Sequence, residues 1–328
     1  MDVYDIKTLL ASLREYRGKS LFTVFCSGIE AVFEILIPVW MARLIDEGIQ
    51  AAQMQQVWIY GSLLLFFACL QAASGVLAAR VGATASAGFA ANLRADMFDR
   101  IELFSFANID KFSTSSLVTR LTTDVTNLRN AYIMIIRMAV RAPVMMIAAM
   151  VVSFSISRSI AMIFVGFIPV MAVALGLITR AVFPMFERVF KTYDELNNVV
   201  EEDVRGIRVV KSFVREEQQI GLFSSIAERI RRLFMKAEFV ISLNGPLMQF
   251  SMFTCIVLIS WGGAHAVVAS GNNAALGLTT GGLTAMFTYG IQILMSLMMI
   301  SMVFAMVIIA SASARRIAEV LEEAPDIT

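Results

Sequence analysis

Apolar and polar positions alternate along this chain in blocks. Six long apolar runs lie near residues 20–45, 57–80, 130–154, 159–183, 240–268 and 283–308. Each is long enough to cross about 30 Å of hydrocarbon as a helix. Between them lie two long polar stretches, 81–129 and 184–238, and both keep a helical pattern. In 92–106, Leu93, Met97, Ile101 and Phe104 hold one helical phase, while Arg94, Asp96, Asp99, Arg100 and Glu102 fill the other side. The second span therefore continues into water, and residues 57–106 would reach roughly 75 Å. The fourth span extends in the same way through Phe186, Phe190 and Leu196. A return helix is expected near 221–240, carrying Arg229, Arg231, Arg232 and Lys236. The pattern predicts an all-α membrane protein: six transmembrane helices, with two helical hairpins projecting far beyond the bilayer and each ending in a short cross-piece.

The first cross-piece covers 108–125, where Ser, Thr and Asp suit helix caps and a turn. The second covers 201–220, the most charged run of the chain. Ile207, Val210 and Val214 fall there at helical spacing, and Val209 and Phe213 are one turn apart. Such an amphipathic segment in water needs a cover for its apolar side. Two readings fit: a loop helix packed on its own chain, or a docking knob for another protein.

Basic residues set the orientation. With the N-terminus inside, the external loops are 46–56, 154–159 and 269–282, and Arg158 is the one basic residue in them. Both termini are thus expected in the cytoplasm. Residues 1–19 place Lys7, Arg14, Arg17 and Lys19 among Ile6, Leu9, Leu10 and Leu13, the pattern of an interfacial helix on the inner leaflet.

Composition narrows the function. The chain is 58% hydrophobic and 16% charged, with mean hydropathy +0.73 and net charge +1. That balance offers nucleic acid nothing to bind. Cys26, Cys69 and Cys255 sit inside apolar runs and read as small core residues. His265 is the single histidine, so no metal set is expected. The first apolar run is too long for a cleavable leader. There is no nucleophile–base pair and no G-x-x-x-x-G-K-[ST] phosphate loop, so the chain itself is not expected to hydrolyse anything.

Charges inside the spans are the remaining candidates. Glu30 and Glu34 are one turn apart in span one, and Arg137 and Arg141 one turn apart in span three. Ionisable groups at such depth pair with one another or line a wet cavity. Both readings stand: a structural ion pair, or a charged wall of a substrate cavity. Gln71, Asn244, Gln249 and Gln292 add polar points, and Met295, Met299, Met302 and Met306 form a stripe in span six. That stripe reads either as ordinary packing or as an adaptable, substrate-facing surface. The candidate cavity residues are Glu30, Glu34, Arg137, Arg141, Gln249, Gln292, Met295 and Met299. Gly75, Ala79, Ala83 and Ala87 form a small-residue ridge for close helix packing in span two. Pro143, Pro169, Pro184 and Pro246 are candidate kinks.

Three stretches carry a resemblance. Residues 112–125, Phe-Ser-Thr-Ser-Ser-Leu-Val-Thr-Arg-Leu-Thr-Thr-Asp-Val, resemble the first intracellular loop of ABC exporters, with Ser115 where that loop commonly has Gly. Residues 206–217, Gly-Ile-Arg-Val-Val-Lys-Ser-Phe-Val-Arg-Glu-Glu, resemble their second loop. Residues 315–325 are similar to the connector leading into their nucleotide-binding domain, and Arg141-Ala142-Pro143 is similar to heterodimeric members. The resemblance implies an interfacial helix over 1–19, a six-helix exporter transmembrane domain over 20–310 and a connector over 311–328. It implies a domain-swapped dimer, homo- or heterodimeric, in a bacterial plasma membrane. It also implies that the cross-pieces are coupling helices touching nucleotide-binding domains. In the first loop those contacts would come from Asp110, Phe112, Ser113, Ser115, Ser116 and Leu117. In the second they would come from Gly206, Ile207, Arg208 and Val209, then Lys211, Ser212, Phe213 and Glu216. ATP and Mg would sit on the associated domain, with no cofactor in this chain. That domain is expected to be fused and cut from this sequence, or else a separate chain. The cargo would be a drug, lipid or peptide. The competing reading is a stand-alone proton- or ion-coupled carrier using Glu30 and Glu34.

Overall fold

The computed structural model describes residues 8–323, apart from the side chains of Ala107 and Asp110. The elements are α1 (Arg17–Arg43), α2 (Met54–Glu102), α3 (Phe106–Phe112), α4 (Thr114–Thr119), α5 (Val125–Ile156), α6 (Arg158–Ser212), α7 (Glu216–Ser242), α8 (Asn244–Ser270) and α9 (Thr280–Glu322). Wider π-type turns extend α1 over Leu44–Gln50 and lead into α5 over Arg120–Asp124. Among the described residues there are six helical stretches long and apolar enough to cross a membrane, and each contains one of the six apolar runs. The overshoot is large: α2 has 49 residues and α6 has 55, or roughly 75 and 80 Å at 1.5 Å per residue.

The chain divides into two compact units, one formed by residues up to Phe164 together with those from Ile256, the other by Val165–Cys255. The first unit packs α1, α2, α5 and α9 together. Beyond the apolar zone, its core is that of a water-soluble bundle. Leu93 and Met97 of α2 meet Val125 of α5 and Ile317 and Val320 of α9, all nearly inaccessible. Water surrounds this extension, so burying each such side chain contributes about 1.5–3 kcal/mol. That is why the phase Leu93, Met97, Ile101, Phe104 persists where the sequence turns polar.

Within the apolar zone lipid removes this driving force, and close contact and hydrogen bonds take over. The Tyr289 hydroxyl donates to the Ile35 carbonyl at 2.8 Å, and the Tyr132 hydroxyl contacts Ser20 Oγ at 2.5 Å. The close-packing face of α2 is not the Gly75, Ala79, Ala83, Ala87 ridge expected from sequence. Ala83 and Ala87 are exposed, and Ala78, Gly82 and Ala85 are buried instead. A four-residue step overshoots the 3.6-residue turn, so that ridge drifts around the helix. Gly75 remains on the contact face, against Glu30.

The N-terminal segment also differs from expectation. Residues 8–11 are helical and Arg14–Tyr16 make one 3-10 turn. Leu9 and Leu13 lie in the core just described, so the protein itself covers these two side chains, while Leu10 stays exposed. Ser12 Oγ donates to Asp96 at 2.6 Å and Arg14 pairs with the same carboxylate. The part of this expectation before residue 8 falls outside the described residues, as does the connector beyond residue 323.

In the second unit, α6 and α7 form a hairpin. Phe186 meets Phe234 edge to face at 5.8 Å, Arg229 pairs with Glu195, and Val189, Ile226 and Ile230 are buried. Pro169 and Pro184 lie inside α6, which stays helical through both. Pro246 falls in the first turn of α8, where its missing N–H is not needed. Of the three cysteines read as core residues, Cys26 and Cys255 are buried and Cys69 is exposed. An apolar run facing lipid has no need to bury it.

Candidate functional site

The two hairpin tips were singled out by sequence, and they are built differently. The first is a compact knot. Ser105 caps α3 in a reciprocal box with Asn108: Ser105 Oγ accepts from the Asn108 amide, and Asn108 Oδ1 accepts from the Ser105 amide at 3.1 Å. Ser113 then adopts φ +57° and caps α4, which splits the expected cross-piece into two short helices. Phe112 stacks on Phe104 with centroids 5.7 Å apart, and the Arg120 guanidinium lies over the Phe112 ring at 4.9 Å. Phe112 and Leu117, expected at a docking surface, are therefore buried and hold the knot together. Ser113 and Ser115 face outward and Ser116 is half-buried. Apolar exposure here comes from Phe106 (89% exposed), Leu103 and Val118. Sequence reading missed these three; the capping box directly around Phe106 was the available signal. Asp110 lies in α3, with its side chain outside the described residues.

This knot is fastened to the end of α9. Asp124, 1% exposed, accepts from Ser313 Oγ at 2.8 Å and from Arg316 Nε at 2.7 Å. Arg120 donates to the Arg316 carbonyl and pairs with Glu319 at 3.2 Å. Lys111 pairs with Glu323 at 2.8 Å, and Asn108 Nδ2 donates to the same carboxylate at 3.0 Å. The Lys111 ammonium holds the Glu323 carboxyl below the usual glutamate range. A shift at this loop must therefore pull on the last turns of α9.

The second tip has no separate cross-piece. Nothing from Gly206 to Ser212 breaks a helix, so α6 runs straight through them. The reversal takes only Phe213, Val214 and Arg215, and α7 begins at Glu216, ahead of the expected 221. Val214 sits at φ +51°, an outlier for a β-branched residue. Ile207 and Val209 are exposed on the final turns of α6, with Phe213 73% and Val214 81% exposed at the apex. Arg208, Lys211 and Ser212 are exposed around them, and Gly206 and Glu216 are half-buried. Within its own unit, the apolar side of this tip has no cover.

The intramembrane charges resolve into an ion triad. Arg141 of α5 reaches Glu30 at 3.0 Å and Glu34 at 2.6 Å, both on α1. Gly75 of α2 faces Glu30, and a Cβ there would lie 3.0 Å from Glu30 Oε1, so glycine leaves room for the carboxylate. Arg137 makes no ion pair among the described residues, and its Nε is buried without a partner. Gln292 Oε1 is likewise buried and unpartnered, whereas Gln249 is exposed. Along the methionine stripe, Met295 and Met302 are exposed and Met299 and Met306 half-buried. No group of carboxylates, histidines and cysteines among the described residues could hold a metal.

The sequence has clear relatives. It is 28% identical to the ABC transporter ATP-binding protein YfiB of Bacillus subtilis (strain 168), over 90% of this chain and 51% of that one. It is 27% identical to the ABC transporter ATP-binding protein Rv1273c of Mycobacterium tuberculosis (strain ATCC 25618 / H37Rv), over 95% of this chain and 53% of the other. It is 24% identical to the ATP-dependent lipid A-core flippase of Cupriavidus metallidurans, over 86% of this chain and 47% of the flippase. The chain thus spans about half the length of the curated relatives it matches. Residues 20–297 match the family described as the ABC transporter transmembrane region, a range that takes in the first five crossings, both tips and the first part of the sixth crossing. This chain belongs to the ABC transporter transmembrane-region family.

Proposed function

We propose that the chain is the membrane-spanning part of an ATP-driven exporter that works as a dimer, homo- or heterodimeric, with both termini and both hairpin tips in the cytoplasm. Nucleotide-binding domains, fused or separate, hold ATP and Mg and grip the tips. Closing them together draws the hairpins inward and opens the cavity outward, an alternating access driven by differential binding to two states. A drug, lipid or peptide-like cargo fits the exposed methionines Met295 and Met302, which re-pack around varied apolar ligands.

One observation carries this reading. Val209, Phe213 and Val214 are exposed at the end of a helix that runs about 40 Å past its apolar zone. Aromatic anchors ringed by polar residues, here Arg208 and Lys211, are the makings of an interface hot spot. The carrier reading loses support because Arg141 already engages both Glu30 and Glu34.

The test replaces Val209 and Phe213 with Asp in the assembled transporter. Transport should fail while the membrane domain stays folded, and ATP turnover should stop responding to cargo. Unchanged cargo stimulation would overturn the docking role.

A further inference from the structure

Away from the tips and the ion triad, the first unit contains a cleft of about 380 Å³ between α1 and α2, lined by Gly18, Lys19, Phe22, Arg80, Val81 and Thr84. We propose that it binds the phosphate headgroup of an anionic phospholipid, with an acyl chain laid along the adjoining α1–α2 groove.

Depth comes first. Lys19 directly precedes the first apolar run, and Arg80 closes the second. Since α1 and α2 run in opposite directions, both cations stand at one boundary of the hydrocarbon zone, on the side of the N-terminus. That is the level of lipid phosphates. Charge comes next. Lys19 and Arg80 are exposed, and neither makes an ion pair among the described residues. Lys19 is held by the Tyr16 ring, its ammonium 5.2 Å from the centroid, so the charge is positioned without being neutralised. Gly18 has nothing within 4 Å of where a Cβ would stand, which keeps the mouth of the cleft open.

The shape then selects an amphiphile over a free anion. Gly18, Phe22 and Phe25 share one side of α1, and Ala73, Leu77, Arg80 and Thr84 share one side of α2. Moving into the hydrocarbon zone, the cations give way to Phe22, Phe25 and Leu77, all exposed. An inorganic phosphate would use only the charged end. A phospholipid uses both ends; Thr84 lines the same mouth, its hydroxyl donating to the Arg80 carbonyl at 3.0 Å.

The test measures lipid retention by native mass spectrometry of the full chain, taken from nanodiscs holding equal phosphatidylglycerol and phosphatidylcholine. Phosphatidylglycerol should be retained preferentially. The paired change Lys19→Gln with Arg80→Gln should cut that preference about thirtyfold, at about fivefold per basic residue. Arg158→Gln, at the opposite boundary, should leave it unchanged. If the paired variant does not fold, Thr84→Trp fills the cleft with both charges intact and should abolish retention, while Lys19→Arg with Arg80→Lys should keep it. Equal retention of the two lipids would overturn the proposal. So would retention indifferent to Thr84→Trp, and so would displacement of the lipid by inorganic phosphate alone, which would mark a free-phosphate site.

Discussion

Asp124→Ala tests whether the first tip and the end of α9 move as one body. The wild-type carboxylate is almost inaccessible and takes hydrogen bonds from Arg316 and Ser313. Removing one member of a fully buried ion pair costs about 3–5 kcal/mol, because the other charge is stranded. Here the Arg316 side chain is 45% exposed and can turn to water, which lowers the cost. Arg120 keeps Glu319 as a partner. What remains is the loss of charge-assisted hydrogen bonds at about 1.5–3 kcal/mol, so a net cost of about 2 kcal/mol is expected. That corresponds to roughly thirtyfold faster amide exchange in the last turns of α9, near residues 313–322, if local opening governs exchange there. Hydrogen exchange by mass spectrometry on the full chain in nanodiscs reads this directly. Arg316→Ala should give a similar acceleration, and the double variant should be little worse than either single one. Energies that add within about 0.5 kcal/mol would mean the two residues act independently. That result would refute the idea that the knot and α9 are latched together.

Two further outcomes follow from the packing. Arg141→Ala leaves Glu30 and Glu34 without their cation inside the apolar zone; thermal stability should fall by the equivalent of about 3–5 kcal/mol, and Glu34→Gln in the same background should recover part of it. A stable Arg141→Ala protein would show that the triad is dispensable to the fold. Gly88→Ala puts a Cβ 2.1 Å from the Tyr16 ring; overpacking of about 1–3 kcal/mol should push the N-terminal segment off α2, seen as new proteolysis before residue 17, whereas Gly61→Ala, with nothing within 4 Å, should be silent.

What the sequence revealed and what it hid divide along a physical line. Periodicity reports which side of a helix faces water, so the six runs and the Leu93, Met97, Ile101, Phe104 phase were readable where polar solvent forces alternation. Inside the apolar zone both lipid and protein are greasy, and the signal weakens. Depth placed Glu30, Glu34, Arg137 and Arg141 together, but only helix rotation, fixed by contacts such as Tyr289 to Ile35, decides that Arg141 takes both carboxylates. The α2 ridge failed for a different reason: its four-residue step drifts around a helix of 3.6 residues per turn, so Ala83 and Ala87 leave the contact face. At the tips the limit was range. Phe112 looked free although Phe104 and Arg120, which cover it, are each only eight residues away; what holds Arg120 over the ring is the Arg316 carbonyl and Glu319, nearly two hundred residues on. The second tip erred the other way: a charged, amphipathic stretch was read as a separate piece although no residue from Gly206 to Ser212 stops a helix. The stop comes only at Val214, where a β-branched side chain is held left-handed. A turn that unfavourable for its sequence needs support, and its own unit leaves the apolar residues around it bare. A partner gripping Phe213 would therefore bury the anchor and fix the turn in one event. Hence Val214→Gly, which removes the strain without removing Phe213, separates turn from anchor: it should leave coupling intact where Phe213→Asp abolishes it.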